Sequence, residues 1–228
     1  MYWLLVLHLI GAALAHSWNE QLSVIIDGEY SGQNGYPRGY VSHLLCSPSQ
    51  RTSNQAEGYP RLRVSPGSYI AMKYLENGKP AGRGKVHVFG TDEPDAQEVL
   101  TRVLEWTADG LGGDGRGKLL TIQDFDDGRC YQINGGSISL ERQTRYPNPV
   151  PGIPNSINEQ WCETNVMVPE DLLHGSMYTL YWVWQWPTSP GSPGLPEGKD
   201  EYYTTCSDVD IVPYIDQRSS EICYRKLS

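Results

Sequence analysis

From Gln21 the chain alternates polar and apolar residues, with Leu22, Val24 and Ile26 on one side, and this period of two predicts a half-buried strand. Asp27 to Gly39 (DGEYSGQNGYPRG) is dense in turn residues and reads as a connection. Further strands are predicted over Ser68 to Leu75, Lys85 to Gly90, Leu119 to Ile122, Met177 to Trp186 and Tyr202 to Val212. Glycine- and proline-rich segments such as Leu111 to Gly117 and Pro187 to Lys199 separate them. Short strands with such connections imply an all-β sandwich with long loops. Gln97 to Trp106 fits two patterns. Val99, Val103 and Trp106 make a helical face, while Leu100, Arg102, Leu104 and Trp106 make an alternating one.

In Tyr178 to Trp186 the residues Tyr178, Leu180, Trp182, Trp184 and Trp186 share one face, and Tyr181, Val183 and Gln185 the other. Large aromatics dominate core burial, so this reads as a core strand, the alternative being an exposed platform that stacks sugars. With 228 residues, Gly 24 and Pro 16, the chain fits a single domain better than a helical bundle. No repeat, linker or change of composition divides residues 16 to 213, and a polar tail follows over 214 to 228. The net charge of -9, with no run of Lys or Arg, lacks the electrostatic footprint of a nucleic-acid binder or of a protein attached to anionic membranes.

Residues 1 to 15 (MYWLLVLHLIGAALA) form an apolar stretch too short to span a bilayer, and they end in Ala13-Leu14-Ala15, a small-x-small cleavage pattern. A secretory signal peptide and a secreted, extracellular mature chain are therefore expected. In an oxidising compartment cysteines pair by default. Cys46, Cys130, Cys162 and Cys206 are expected to form two disulfides, in any of three connectivities, leaving Cys223 in the tail over.

Cleavage after Ala15 makes His16 the first residue, and a terminal histidine offers both an α-amine and an imidazole to one metal. Nitrogen donors in a square-planar arrangement favour Cu(II). Other motifs point away from chemistry. Gly110 to Gly117 (GLGGDGRG) lacks the Gly-Lys-Ser/Thr ending of a phosphate loop and reads as a turn. Asp124 to Gly128 (DFDDG) lacks the spaced ligands of a calcium loop and reads as a hydrogen-bonded turn before Cys130.

Several segments carry a resemblance. These are His16-Ser-Trp-Asn-Glu-Gln-Leu22, Gly35-Tyr-Pro-Arg-Gly39, Ala108 to Gly117, Asp124 to Gly128 with Cys130-Tyr131, Tyr178 to Trp186, and Tyr203-Thr-Thr-Cys-Ser-Asp-Val-Asp210. Their order resembles a family of secreted fungal proteins of unknown function, which in turn resembles lytic polysaccharide monooxygenases. The resemblance implies an immunoglobulin-like or fibronectin-like β-sandwich holding one copper ion in a histidine brace, and a polysaccharide or cell-wall carbohydrate as partner of a monomeric protein. It implies oxidative cleavage of that polysaccharide. His16 matches the terminal ligand of the brace, and Tyr203 the axial aromatic beside the metal, a core tyrosine being the alternative; Glu201 reads as a solvated surface residue, the alternative being a carboxylate behind Tyr203.

The second imidazole is where the chain departs from the pattern. Where the family carries Glu-Asn-Gly-His after the strand, this chain reads Glu76-Asn77-Gly78-Lys79, with a shortened loop beyond it and an abbreviated stretch around Ser42 to Cys46. A lysine ammonium has no lone pair to donate. His87, on the predicted strand Lys85 to Phe89, is the nearest replacement in sequence and the candidate second ligand, the alternative being a partly buried structural histidine. His43 and His174 are the others, both read as solvated loop residues. The alternative function is a secreted protein that binds copper without turnover, or one that binds carbohydrate or cell wall without a metal.

Overall fold

The computed structural model describes residues 19, 21–37, 45–46, 55, 57–75, 83–146, 160–192 and 195–214. The signal peptide expected over 1 to 15, His16, His43, the loop with Lys79, Cys223 and the tail after 214 lie outside the described residues. Two sheets are stacked. The four-stranded sheet has the order β2-β1-β4-β7, from β1 (Gln21–Ile26), β2 (Glu29–Gly35), β4 (Tyr69–Tyr74) and β7 (Cys162–Met167). The five-stranded sheet runs β3-β9-β8-β5-β6, from β3 (Leu62–Val64), β5 (Lys85–Thr91), β6 (Lys118–Asp124), β8 (Met177–Thr188) and β9 (Lys199–Ile211). The all-β sandwich expected from the sequence is the architecture observed.

The core between the sheets is built from alternate residues of each strand: Leu22 and Val24, Ile70, Met72 and Tyr74, Val86 and Val88, then Tyr178, Leu180, Trp182 and Trp184. The opposite face of β8 is not solvated. Tyr181 and Val183 join Phe89, Val103, Trp106, Leu45 and the disulfide-bonded Cys46 and Cys206 in a second core on the outer side of the five-stranded sheet. A strand covered on both faces loses the alternation of apolar and polar residues, which is why β8 reads as an almost continuous apolar run. Trp184 is buried at 2%, so the core reading of this strand holds and the sugar-stacking one does not for its central residues.

The glycine-rich loop serves this second core. Arg116 pairs with the buried Glu98 at 2.5 Å and with Asp114 at 2.8 Å, while Asp114 also accepts from the Trp106 indole at 2.8 Å. A Cβ added at Gly117 would overlap the Trp106 ring, so glycine there is a packing requirement. The ambiguous segment resolves as a single turn of helix, α1 (Leu100–Val103), that buries Val103 and leaves Val99 exposed. The disulfides are Cys46–Cys206 and Cys130–Cys162, the two bridges expected among these four cysteines.

Two sequence expectations need correction. Asp27 to Gly39 is not only a connection, because Glu29–Gly35 pairs antiparallel with β1 as an edge strand, its residues largely half-exposed. Ser137–Arg145 forms a helix, α2, in which only Ser139 is buried, so no apolar stripe announces it.

The outer side of the four-stranded sheet carries a buried cation. Lys73 is 1% exposed. Its Nζ donates to Ser23 Oγ at 2.8 Å and Gln21 Oε1 at 3.3 Å, and it lies 3.8 Å from the centre of the Tyr30 ring. Tyr30 in turn donates its hydroxyl to the Glu163 carboxylate, which burial pushes above the usual carboxylate range. Burial pushes the Lys73 ammonium down to about 8. An unfolded lysine titrates near about 10.4, so between those values the unfolded chain holds a proton that the folded one has lost. Stability due to this group therefore rises with pH across that window. Chemical denaturation from pH 7.5 to 10, below most tyrosine ionisation, should give a wild-type midpoint that climbs relative to Lys73→Met. Parallel curves would refute the shift.

Candidate functional site at the open end of the sandwich

The strands end at different heights, and this opens one end of the sandwich. β8 and β9 pair without a break from Met177↔Asp210 to Thr188↔Lys199, whereas β5 leaves β8 at Lys85↔Gln185 and β4 stops at Tyr74. The Tyr74 ring packs on Trp182 at 5.1 Å and on Phe125 at 5.0 Å. Trp184, Trp186, Tyr203 and Glu201 therefore continue the inner face of the β8–β9 hairpin past the end of β4. Trp184 is the centre of this overhang. It stacks on Phe125 with ring centres 3.9 Å apart, meets Tyr203 and Trp186 at 5.1 Å each, and donates its indole N–H to the Arg83 carbonyl at 3.0 Å.

The N-terminal strand enters at the same end. Asn19 is wholly buried and bridges the two sheets. Its backbone N–H donates to Thr205 Oγ1 of β9 at 3.1 Å, and its Nδ2 donates to the carbonyls of Gln21 at 3.2 Å and Lys73 at 3.1 Å. Thr205 shares its face of β9 with Tyr203, two residues and roughly 7 Å along the strand. Sequence reasoning assigned Asn19 and Thr205 no role, although both stand in segments that carry the family resemblance. A polar residue before an alternating strand gives no sign that it will be buried between sheets.

Tyr203 is half-buried, and its hydroxyl donates to Glu201 Oε2 at 2.9 Å. Burial, together with the Glu201 carboxylate, pushes the phenol up to about 12. At neutral pH it is therefore a neutral hydrogen-bond donor beside a carboxylate, suited to stand next to a cation without surrendering its proton.

His87 does not join this group. The register aligns His87 with Val183 and Thr204, and Val86 with Trp184 and Tyr203. Neighbouring residues of a strand face opposite ways. His87 thus lies on the outer face of the five-stranded sheet, beside Phe89, while Tyr203 lies on the inner face. The two strands are two spacings apart, about 10 Å, with the sheet between them. Metal–nitrogen bonds are about 2 Å long, so one ion cannot engage both side chains. This corrects the pairing of His87 with Tyr203 at one metal. Burial lowers the His87 imidazole below its usual range, a hydrogen bond that it donates to Gln185 opposing and Lys85 adding to the effect. His174 is exposed in the turn before β8, at the opposite end of that strand from Trp186.

Among the described residues, Asp126, Asp127 and Cys130 bring metal-ligating atoms within 4.8 Å of one another. All three are engaged elsewhere. Asp126 holds Arg142 through two bonds of 2.8 Å, Asp127 accepts the backbone N–H of Arg129 and Cys130, and Cys130 is bonded to Cys162. The hydrogen-bonded turn expected there is what is observed.

A β-sandwich with an N-terminal strand anchored at its open end, beside an aromatic hairpin, defines the class of this protein. Residues 13–44 and 41–225 match the family described as Domain of unknown function (DUF7492), and the chain belongs to that family. By structure it is similar to a glycoside hydrolase family 61 member, Cel61B from Hypocrea jecorina, with a TM-score of 0.39 and 12% identity over 87% of this chain and 82% of that one. It is similar also to a cellulose-active polysaccharide monooxygenase from M. thermophila, with a TM-score of 0.39 and 10% identity over 87% of this chain and 78% of that one. Likeness at this level speaks to neither ligand nor reaction. By sequence, 106 residues, 46% of the chain, are 29% identical to the human (Homo sapiens) DNA repair and recombination protein RAD54B. The match spans 11% of that protein's length.

The Tyr203–Glu201 pair can be read directly. Alkaline absorbance titration of wild type against Tyr203→Phe should reveal one phenol ionising near about 12. Glu201→Gln should bring that transition down towards about 10, the free value. A Tyr203 transition that ignores Glu201→Gln would contradict the pairing.

Proposed function

We propose that the mature chain is a secreted copper-binding protein on the plan of a lytic polysaccharide monooxygenase, with the His16 amine and imidazole as its chelating pair and polysaccharide as its partner. The observation that carries this reading is the anchoring of Asn19 across both sheets, two residues along β9 from Tyr203. His16 stands three residues earlier in the chain, within roughly 11 Å even if fully extended. The open end is thus within reach of an amine whose free pKa of about 7.7 to 8.0 lets it release its proton to a metal near neutral pH. Copper held there would supply one-electron chemistry with dioxygen or peroxide.

The chain's own residues have limited tasks in this reading. Tyr203 would lie beside the ion as a neutral phenol, Glu201 would keep that phenol oriented, and Trp184 and Trp186 would form an apolar wall. Nitrogen donors fit the metal only as far as His16 supplies them, because His87 is on the other side of the sheet and the family's second ligand position is Lys79. These two observations favour a second reading, in which His16 holds copper by two nitrogens and no carbohydrate is oxidised.

The experiment compares protein beginning at His16 with protein that retains Ala15. Copper titration by calorimetry and electron paramagnetic resonance should give one tight site in the first and a loss of at least tenfold in affinity in the second. His87→Ala should leave both the affinity and the spectrum unchanged. Equal binding by the two forms would sink the proposal. Oxidised oligosaccharides released with ascorbate and peroxide would select the monooxygenase reading, and a two-nitrogen spectrum without product would select the second.

A further inference from the structure

We propose that Arg129 and Arg145, gathered on the ring of Tyr146, form a carboxylate-binding subsite, and that the polysaccharide this protein engages is a polyuronate, whose sugars carry carboxylates. This rests on the reading above that the partner is a polysaccharide, and on nothing about the metal. The Arg129 guanidinium lies 5.3 Å from the centre of the Tyr146 ring, and the Arg145 guanidinium 5.4 Å from it. One aromatic ring thus holds two cations within about 11 Å of each other. Both arginines are exposed, and among the described residues neither is ion-paired, although Glu141 stands four residues before Arg145 on α2. The other acids close by are engaged. Asp126 holds Arg142 through two bonds of 2.8 Å, and Asp127 accepts the backbone N–H of Arg129 and of Cys130. In a chain with 27 acidic residues against 18 basic ones, two neighbouring arginines left without an anion call for a local reason.

The helix that carries Arg145 contributes little to the core, since only Ser139 of α2 is buried. Polar contacts nevertheless tie it down. Arg142 also donates to the Cys130 carbonyl at 2.7 Å, Ser139 Oγ donates to the Gln132 carbonyl at 2.7 Å, and the Tyr131 hydroxyl donates to the Tyr146 carbonyl at 2.9 Å. The Cys130–Cys162 disulfide fastens the preceding turn to β7. The helix dipole favours an arginine in the last turn, which accounts for Arg145 alone. It does not account for Arg129, which comes from a separate turn and shares the same ring. Two guanidiniums converging on a rigid mount suit a planar anion, because each fork can give two parallel N–H bonds to one carboxylate. The mount flanks the open end of the sandwich, since Phe125, next to Asp126, stacks on Trp184. The net charge of -9 repels a polyanion at long range, but at physiological salt that field decays over about 8 Å while contact bonds persist. Recognition therefore depends on the local arginine pair.

The test measures binding of soluble polygalacturonate to the full mature chain at about 0.15 M salt, with a chelator present so that copper plays no part. Wild type should bind, and the double variant Arg129→Gln/Arg145→Gln should lose roughly tenfold or more in affinity at an unchanged melting temperature. Methyl esterification of the polymer, which removes the charge and leaves the sugars, should cost wild type as much, a comparison that needs no variant. Arg63→Gln, which removes one exposed charge from β3 at the far edge of the five-stranded sheet, should change affinity by less than twofold. Binding by the double variant within twofold of wild type, equal binding of the esterified polymer, or the full loss in Arg63→Gln overturns the inference. Polyglutamate bound as tightly as polygalacturonate overturns it too, because charge without sugar would then suffice. Wild type that binds a neutral glucan and not polygalacturonate ends the inference and leaves a polysaccharide partner standing. Wild type that binds neither polymer counts against both.

Discussion

The pairing of β8 with β9 is the constraint on which the rest depends. Twelve consecutive residue pairs hold the two strands together, and β8 is buried against one core on its inner face and another on its outer face. Because the pairing outlasts β4 and β5, the hairpin must project beyond the four-stranded sheet. Its last inner-face residues, Trp184, Trp186 and Tyr203, then have only part of a partner layer. That shortfall is the open end. The aromatic contacts around Trp184 replace the missing strand, and buried Asn19 ties the two sheets, through its backbone N–H to Thr205 and its side-chain amide to the carbonyls of Gln21 and Lys73.

Much of this was legible in the chain, and the reasons for the exceptions are physical. Six strands were visible because their residues alternate or, in β8, because an apolar run longer than a buried turn has few other uses. β2 was hidden by its composition, since an edge strand with half-exposed residues can consist of Glu, Ser, Gln, Asn and Gly. α2 was hidden because it buries only Ser139 and has no apolar face to declare a period. The two disulfides were countable but not assignable. Their pairing depends on which loops meet, and Cys46 meets Cys206 across 160 residues of sequence.

The candidate site divides in the same way. Tyr203 was singled out from the order of the motifs, and the structure sets it, half-buried, beside Glu201 on the projecting length of the hairpin. That His87 and Tyr203 face opposite ways was not legible, because it follows from the register of three strands drawn from distant parts of the chain. A shift of one residue in either pairing would have put them on one face. The nearness of His87 to Lys79 in sequence was therefore no guide to the face on which His87 lies.

A chain end is ordinarily the least ordered part of a domain unless something ties it down. Here the tie is made just before β1, by a residue that spends three N–H groups on the opposing sheets. The long hairpin supplies the other side of that tie by carrying Thr205 of β9 to the entrance, so the strand that enters the sandwich is fixed by the same pairing that leaves the end open.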